Sequence, residues 1–370
     1  MKYYIIAGEA SGDLHGSNLM RELYKKDQNA EIRFWGGDLM KNEGGTLVKH
    51  YRELAFMGFI EVIFNLKTIL NNIKICKNDI LKFKPDVLIF IDYPGFNLRV
   101  AKWAKALGMK THYYISPQIW AWKENRITDI KRDVDKMYVI LPFEKKFYEE
   151  KHQFAVEFVG HPLIDAIHNQ SFVDPIFFQR ENQLDEKPII AILPGSRKQE
   201  ITKMLSVMLS VVNDFPAYQF VIAGAPSQDF SLYQNFTSEK NIKFISNKTY
   251  DLLRNSTAAL VTSGTATLET ALFKVPEVVC YKGSWASYQI AKRIITLKYI
   301  SLVNLIMDEE VVTELIQDDC NTKRIREELQ KILEPNNRVN LLKKYSLLEK
   351  KLGGIGASEK TAALIVNDLQ

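Results

Sequence analysis

The sequence predicts an α/β protein built from two similar halves, each around a parallel sheet. Three observations carry that prediction. Short apolar runs alternate along the chain with longer amphipathic stretches, the pattern of strands joined by crossover helices. One run, Val87–Ile91, is unbroken and bounded by Pro85 and by Pro94-Gly95, which is how a strand buried on both faces reads. After a polar stretch the pattern restarts at Ile189–Leu193, and 370 residues are too many for one ordinary domain and enough for two.

The totals agree with a folded soluble protein, at 46% hydrophobic and 25% charged residues. A formal net charge of +5 suits an anionic ligand or an anionic membrane surface and is too small to argue for nucleic acid. Cys76, Cys280 and Cys320 are scattered, without metal spacing, and imply a reducing compartment and no disulfide framework. The chain passes from Met1-Lys2 straight into an apolar run, with no signal peptide and no run long enough to span a bilayer, so a cytoplasmic location is expected.

Taken in order, the strands of the first half read Tyr3–Ala7, Ile32–Trp35, Val87–Ile91, Thr111–Ile115, Met137–Leu141 and Val156–Val159. Those of the second read Ile189–Leu193, Gln219–Ala223, Ile242–Ile245, Ala258–Thr262 and Val278–Tyr281. Gly160-His161-Pro162 and the polar stretch 169–187 form the expected hinge. A charged helical tail ends in Ala357–Leu369. The domains are set at 1–165, 166–345 and a C-terminal helical segment 346–370.

Ligands of open α/β sheets bind outside the carboxyl ends of the strands, so the residues just after each run carry the chemistry. Asp92 ends the Val87–Ile91 run. There it reads equally well as a general base with a raised pKa or as a cap for a helix beginning near Asn97. The first loop holds Glu9, Ser11, Asp13 and His15 around glycines, a dense polar set pointing to an anion or sugar pocket. Its glycine spacing does not match a nicotinamide dinucleotide site. Tyr113 to Trp122 follows the next strand, and Pro117, Gln118 and Trp120 make a rigid, partly polar wall, with plain core packing as the competing reading. Asp133-Val134-Asp135 has the spacing of a metal-dependent sugar transferase but precedes its strand, and is read as surface.

Over 55–77 one helical face holds Phe59 and its periodic partners, while Met57, Ile60 and Phe64 fall together on roughly the opposite side at about 100° per residue. With Lys67, Lys74 and Lys77 nearby, that surplus face fits an anionic membrane or acyl chains; a helix buried on two sides, or an oligomer contact, is the alternative. In the second half, Ile189–Leu193 runs into Pro194-Gly195-Ser196-Arg197, where the fixed, forked charge of Arg197 suits a diphosphate. Ala258–Thr262 runs into Ser263, Gly264, Thr265, Ala266 and Thr267, a second phosphate cradle at a helix start. Glu269 follows within reach of ribose hydroxyls, or serves as a helix-dipole carboxylate.

These motifs, in this order, resemble the lipid-A-disaccharide synthase family, inverting and metal-independent glycosyltransferases of the GT-B superfamily. The resemblance rests on AGEASGD (7–13), LAFMGFIEV (54–62), IDYPGFN (91–97), YYISPQIWAW (113–122), LPFEKKFY (141–148), FVGHP (158–162), LPGSR (193–197), TSGTATLE (262–269), YISLVNLI (299–306) and TELIQDDC (313–320). It implies a GT-B architecture, two Rossmann-like domains with parallel sheets facing a cleft and a C-terminal helix returning to the first domain. It implies transfer from UDP-2,3-diacylglucosamine to 2,3-diacylglucosamine 1-phosphate, giving a β-1,6-linked disaccharide 1-phosphate and UDP.

By the same resemblance Asp92 is the candidate base and Arg197 holds the donor diphosphate. Ser196, Ser263–Thr267, Glu269, Asn304 and Gln317 frame UDP. Glu9, Ser11, Asp13, His15, Pro117, Gln118 and Trp120 line the acceptor side, and Met57, Phe59, Ile60, Phe64 and Lys67 meet acyl chains or membrane. No cofactor, metal or nucleic acid is implied, the cytoplasmic face of the inner membrane is the expected partner surface, and a homodimer stays open. The family pattern often carries proline just ahead of its late Leu-Leu-Gln, where this chain reads Thr313-Glu314-Leu315-Ile316-Gln317. Two other readings stand beside this one: a UDP-N-acetylglucosamine 2-epimerase on the same fold, and a non-catalytic UDP-binding membrane adaptor.

Overall fold

The computed structural model describes residues 1–54, 66–170, 172–226, 228–237, 241–283 and 298–370. Its contacts divide the chain into two compact units, Met1–Asn169 with Leu352–Gln370, and Gln170–Lys351. The sequence reading set its boundaries at 165 and 346.

The first unit is built on β1 (Lys2–Ala7), β2 (Glu31–Gly36), β3 (Thr46–His50), β4 (Val87–Ile91), β5 (Thr111–Tyr114), β6 (Lys136–Val139) and β7 (Glu157–Phe158). Their order is β3-β2-β1-β4-β5-β6-β7, and every pairing is parallel. β4 is at most 1% exposed along its length, which is why its run has no polar alternation. The order reverses between β1 and β4, whose ends are in register at Ala7 and Ile91. Helices flank both neighbouring strands of such a reversal on opposite faces, and the loops there part to leave a crevice.

The second unit repeats the plan with β8 (Ile189–Leu193), β9 (Gln219–Gly224), β10 (Ile242–Ser246), β11 (Ser256–Thr262), β12 (Glu277–Tyr281) and β13 (Glu314–Ile316). Their order is β10-β9-β8-β11-β12-β13, again all parallel, with the reversal between β8 and β11 and Leu193 in register with Val261.

Two strands escape the sequence reading. β3 lies at a sheet edge and buries none of its five residues fully, so it shows no apolar run. β13 has three residues, too few to show a period. The helix after Asp92 begins at Pro94, three residues before the expected Asn97. Gly160, at φ +93, lies against the Leu352 carbonyl, and the His161 amide donates to that carbonyl at 2.9 Å. The expected Gly160–Pro162 hinge is therefore packed inside the first unit, and the division falls nine residues after Gly160, following Asn169.

The last helix, Ala357–Leu369, belongs to the first unit and packs on the helix Ala10–Lys26. Asp165 accepts from the amides of Gly356 (2.7 Å) and Ser358 (2.8 Å), which satisfies donors that a helix start leaves open. Asp133-Val134-Asp135 keeps its surface reading at Asp135, which is exposed, and departs from it at Asp133. Asp133 is 2% exposed and paired with Arg132, and Asp135 accepts from the amide and hydroxyl of Thr111 at 3.0 and 3.1 Å. The pair fastens β5 to β6 at the end away from the crevice. Met57, Phe59, Ile60 and Phe64, and the side chain of Lys67, lie outside the described residues.

Candidate active site

At the reversal of the first unit the loops after β1 and β4 interlock. Tyr93 lays its ring over Gly8, where a Cβ would collide with it, so only glycine lets the two loops close. Asp92 and Tyr93 both adopt left-handed backbone, at φ 44 and 48, a region that costs non-glycine residues free energy. Tyr93 is the N-cap of the helix Pro94–Ala106, and no side chain caps that helix. The capping reading of Asp92 is thereby set aside. Its carboxyl is half-buried at the strand end, and its pKa is raised to about 6. Burial is the main cause, the Glu9 carboxylate adds to it, and the Tyr93 amide opposes both.

The other first-loop residues divide. Glu9 and Ser11 are exposed beside the crevice. Asp13 is a correction to the acceptor-pocket expectation. It is 3% exposed, and its two oxygens accept from the amides of Gly37 (2.7 Å), Leu39 (3.1 Å) and Met40 (3.1 Å). It fixes the start of the short helix Asp38–Asn42, and both of its oxygens are engaged there. His15 is buried with Nδ1 unpartnered, and burial pushes its pKa down to about 4.

Beyond β5, Pro117 is buried, Gln118 is exposed and Trp120 is half-buried. Trp120 stands edge-on to Phe143 at 4.9 Å and donates its indole N–H to Glu144 at 3.1 Å. Glu144 also accepts from the Ser116 hydroxyl (2.6 Å) and the amides of Ile140 (3.1 Å) and Leu141 (2.8 Å). This buried carboxylate, unremarked in the sequence reading though it lies within LPFEKKFY, pins the wall to the neighbouring helix.

The reversal of the second unit is built for an anion. Gly195 sits at φ +99, with the Glu200 carboxylate against it, so the backbone of the turn after β8 favours glycine. Ser196 and Arg197 are exposed, and Arg197 is the N-cap of the helix Lys198–Met208 with no ion pair among the described residues. Next to it, Gly264 at φ +155 and ψ −163 occupies a region open to glycine alone. It starts the helix Thr265–Leu272 without a side-chain cap, which leaves amides free to bind a ligand. Ser263 donates to the Ile300 carbonyl at 2.9 Å, and Thr267 to the Gly264 carbonyl at 2.9 Å, so both hydroxyls brace the turn. Thr265 is exposed and Ala266 half-buried. Glu269 accepts from the Tyr250 hydroxyl at 2.8 Å through one oxygen, and burial raises its pKa. Gln317 follows β13 on the same sheet edge at φ 53.

Asn304 is the second correction. It is 0% exposed and donates to Val312 (2.8 Å) and Glu314 (2.9 Å) while accepting from the amides of Val311 (2.8 Å) and Val312 (3.0 Å). Glu314 also accepts from the amides of Ile300 and Ser301, each at 2.9 Å. Asn304 therefore holds the chain that leads into β13 and offers nothing to a nucleotide. Among the described residues no cluster of His, Cys, Asp or Glu could hold a metal ion.

A family model described as lipid-A-disaccharide synthetase matches residues 3–366 of this chain. The lipid-A-disaccharide synthase of Idiomarina loihiensis is 39% identical, over 98% of this chain and 97% of its own length. That of Coxiella burnetii is 38% identical, over 98% and 97%. Among solved structures, a UDP-GlcNAc 2-epimerase from Neisseria meningitidis bound to UDP-GlcNAc aligns with a TM-score of 0.68 at 14% identity, over 100% of this chain and 99% of that one. MnaA of S. aureus with UDP aligns with a TM-score of 0.71 at 13% identity, over 100% and 97%. At those identities the two solved structures share the fold alone, whereas the synthases are 38–39% identical over 98% of the chain.

Proposed function

The chain belongs to the lipid-A-disaccharide synthase family, a glycosyltransferase of lipid A synthesis, and from that premise we propose how its two sheet reversals divide the reaction. The first unit takes 2,3-diacylglucosamine 1-phosphate and the second takes UDP-2,3-diacylglucosamine. Asp92 removes the proton of the acceptor 6-hydroxyl. The freed oxygen forms a bond to the anomeric carbon as the bond from that carbon to UDP breaks, with inversion. Arg197 and the amides of 264–266 stabilise the charge that grows on the departing diphosphate. The free oxygen of Glu269 and the side chain of Gln317 lie along the same edge to receive the nucleoside. Glu9, Ser11, His15, Gln118 and Trp120 stand around the acceptor.

One observation carries this reading. A carboxyl with a pKa of about 6 stands at the reversal of one sheet, and at the reversal of the other an exposed arginine with no ion pair among the described residues. Such a carboxylate is ionised at neutral pH yet basic enough to take a proton in the transition state. The test is disaccharide formation by the wild type, Asp92→Asn and Arg197→Ala, with UDP affinity measured alongside. Asp92→Asn should lower kcat by about 10³-fold with UDP affinity kept, whereas Arg197→Ala should weaken UDP binding as well. Asp92→Asn turning over at the wild-type rate would remove Asp92 from the role.

Both substrates carry acyl chains, and none of the described helices is long and apolar enough to cross a membrane. We assign the chain to the surface of an anionic bilayer. The support is a groove on the first unit floored by Leu70, Ile73, Leu81 and Trp103 and flanked by Lys74 and Lys77. Leu70 is 55% and Leu81 47% exposed, an apolar strip with basic edges of the kind that lies in a lipid interface. Sedimentation with vesicles rich in anionic lipid should fall for Lys74→Glu/Lys77→Glu; unchanged co-sedimentation would move the contact elsewhere.

A further inference from the structure

The left-handed turn at Asp92 is held from behind. The Asp92 carbonyl oxygen accepts from two buried side chains, the Asn97 amide at 2.7 Å and the Tyr113 hydroxyl at 2.5 Å. Both residues are 0% exposed. Asn97 lies in the first turn of the helix Pro94–Ala106, and Tyr113 lies in β5, so the two donors reach the carbonyl from separate elements. The Asn97 amide nitrogen also lies 3.2 Å from the Ile91 carbonyl and 3.4 Å from that of Ile6, the ends of β4 and β1. Its buried Oδ1 has no partner among the described residues, so the side chain contributes here through what it donates. The Tyr113 hydroxyl stays protonated because burial pushes its pKa well up, and it remains a donor throughout the working range.

Two consecutive non-glycine residues in left-handed backbone do not hold that shape unaided. Asp92 has its amide on the Tyr114 carbonyl at 3.1 Å, and the carbonyl held as above. With both peptide groups fixed, the Cα–Cβ bond points one way, and the carboxyl is delivered to the crevice without a search of alternatives. Release of the carbonyl frees the turn to relax toward ordinary backbone, which swings the carboxyl away from the reacting hydroxyl.

We propose that Asn97 and Tyr113 are positioning residues for the glycosyl transfer, holding the Asp92 carbonyl so that its carboxylate is aimed at the acceptor hydroxyl. The proposal rests on Asp92 being the base. Neither residue touches substrate in this scheme. Their effect therefore falls on kcat and on the pH at which the base titrates, and not on the affinity for either substrate.

The decisive variant is Tyr113→Phe, which removes one donor and keeps the ring packed 5.9 Å from that of Phe90. Asn97→Leu removes the other and carries a greater risk to folding, because several carbonyls lose a donor together. Steady-state kinetics on the full chain, a pH profile of kcat, UDP affinity and a melting curve are measured for both and for Asp92→Asn. Tyr113→Phe should lower kcat about 10-fold at unchanged KM and UDP affinity. Its acidic limb should move down from about 6 as the carboxyl gains water. A folded Tyr113→Phe with wild-type kcat and limb overturns the proposal, and so does a lowered melting temperature with kcat and limb unmoved. If Asn97→Leu does not fold, Tyr113→Phe decides alone. If Asp92→Asn is fully active, the assignment of the base fails and the proposal with it. If Asp92→Asn is inactive and Tyr113→Phe is normal, the positioning role alone fails.

Discussion

The first unit places two carboxylates at its strand reversal, Glu9 on extended backbone after β1 and Asp92 in a turn of left-handed non-glycine residues held by buried donors. The second places a guanidinium and an uncapped helix start at its reversal, on turns that glycine makes free of strain. The strand order around both is the same. The difference fits the roles proposed for the two groups. A base works by changing charge, so its surroundings have to shift its titration, and burial with a like charge beside it does that. An anion cradle must keep its charge, so it needs a guanidinium, fixed amides and water-side access. One backbone plan serves both because the reversal supplies only the crevice, and the side chains supply the chemistry.

The contrast extends through the interiors, and acid should break it open. All six histidines lie at or before His168, hence in the first unit. Burial holds His15 and His112 at about 4 and His161 at about 3, the last with help from His15. Their folded pKa values lie below the unfolded one, so the stability they confer is complete above about 6.5 and is lost as pH falls from there toward 4. At pH 5 each costs about 2 kcal/mol relative to neutral pH, about 6 kcal/mol together. Asp92 and Glu144, both raised, work against them in the same window, so the net loss is smaller than that sum. The second unit holds the opposite case in Glu277, which burial pushes well above the carboxylate range against the opposing influence of Tyr345, so its contribution is present in acid and lost as pH rises. Hydrogen exchange at pH 7 and pH 5, corrected for the intrinsic rate, should show protection lost in the first unit and kept in the second. Loss in both together, or in the second first, would refute the assignment of acid sensitivity to the histidines.

What the sequence showed of this contrast, and what it hid, has a physical pattern. Buried parallel strands announce themselves as apolar runs, so β1, β4, β8 and β11 were legible, and with them the two reversals. The placement of Asp92 and Arg197 at those reversals was legible because each follows such a run beside glycine or proline. β3 and β13, half-buried or three residues long, carried no such signal. Among the site residues the errors share one cause. Asp13 and Asn304 have the right chemistry for a ligand and lie in the right motifs, but backbone amides distant in sequence fold onto them and use their capacity. The roles of Asn97, Tyr113 and Glu144 went unseen for the converse reason, since their partners are carbonyls, amides and side chains that only the fold brings near. Residue type identifies what a side chain can bind; the tertiary structure determines whether anything is left to bind it.

The smallest effect tests the finest part of the contrast, the like charge at the first reversal. Burial is the main cause of the raised pKa of Asp92, and Glu9 is second. Glu9 is exposed, so its field reaches Asp92 partly through water and is screened by salt. Glu9→Gln should therefore lower the acidic limb of the kcat profile from about 6 by a few tenths of a pH unit. Raising the ionic strength should produce a similar decrease in the wild type and almost none in the variant. If the limb drops to the ordinary carboxylate range, the like charge outweighs burial and the site is a coupled dyad. If it does not move in Glu9→Gln while salt still moves it in the wild type, another charge sets the second contribution. A limb that moves by the predicted small step in one protein and is salt-insensitive in the other would leave burial as what distinguishes the base of the first unit from the cradle of the second.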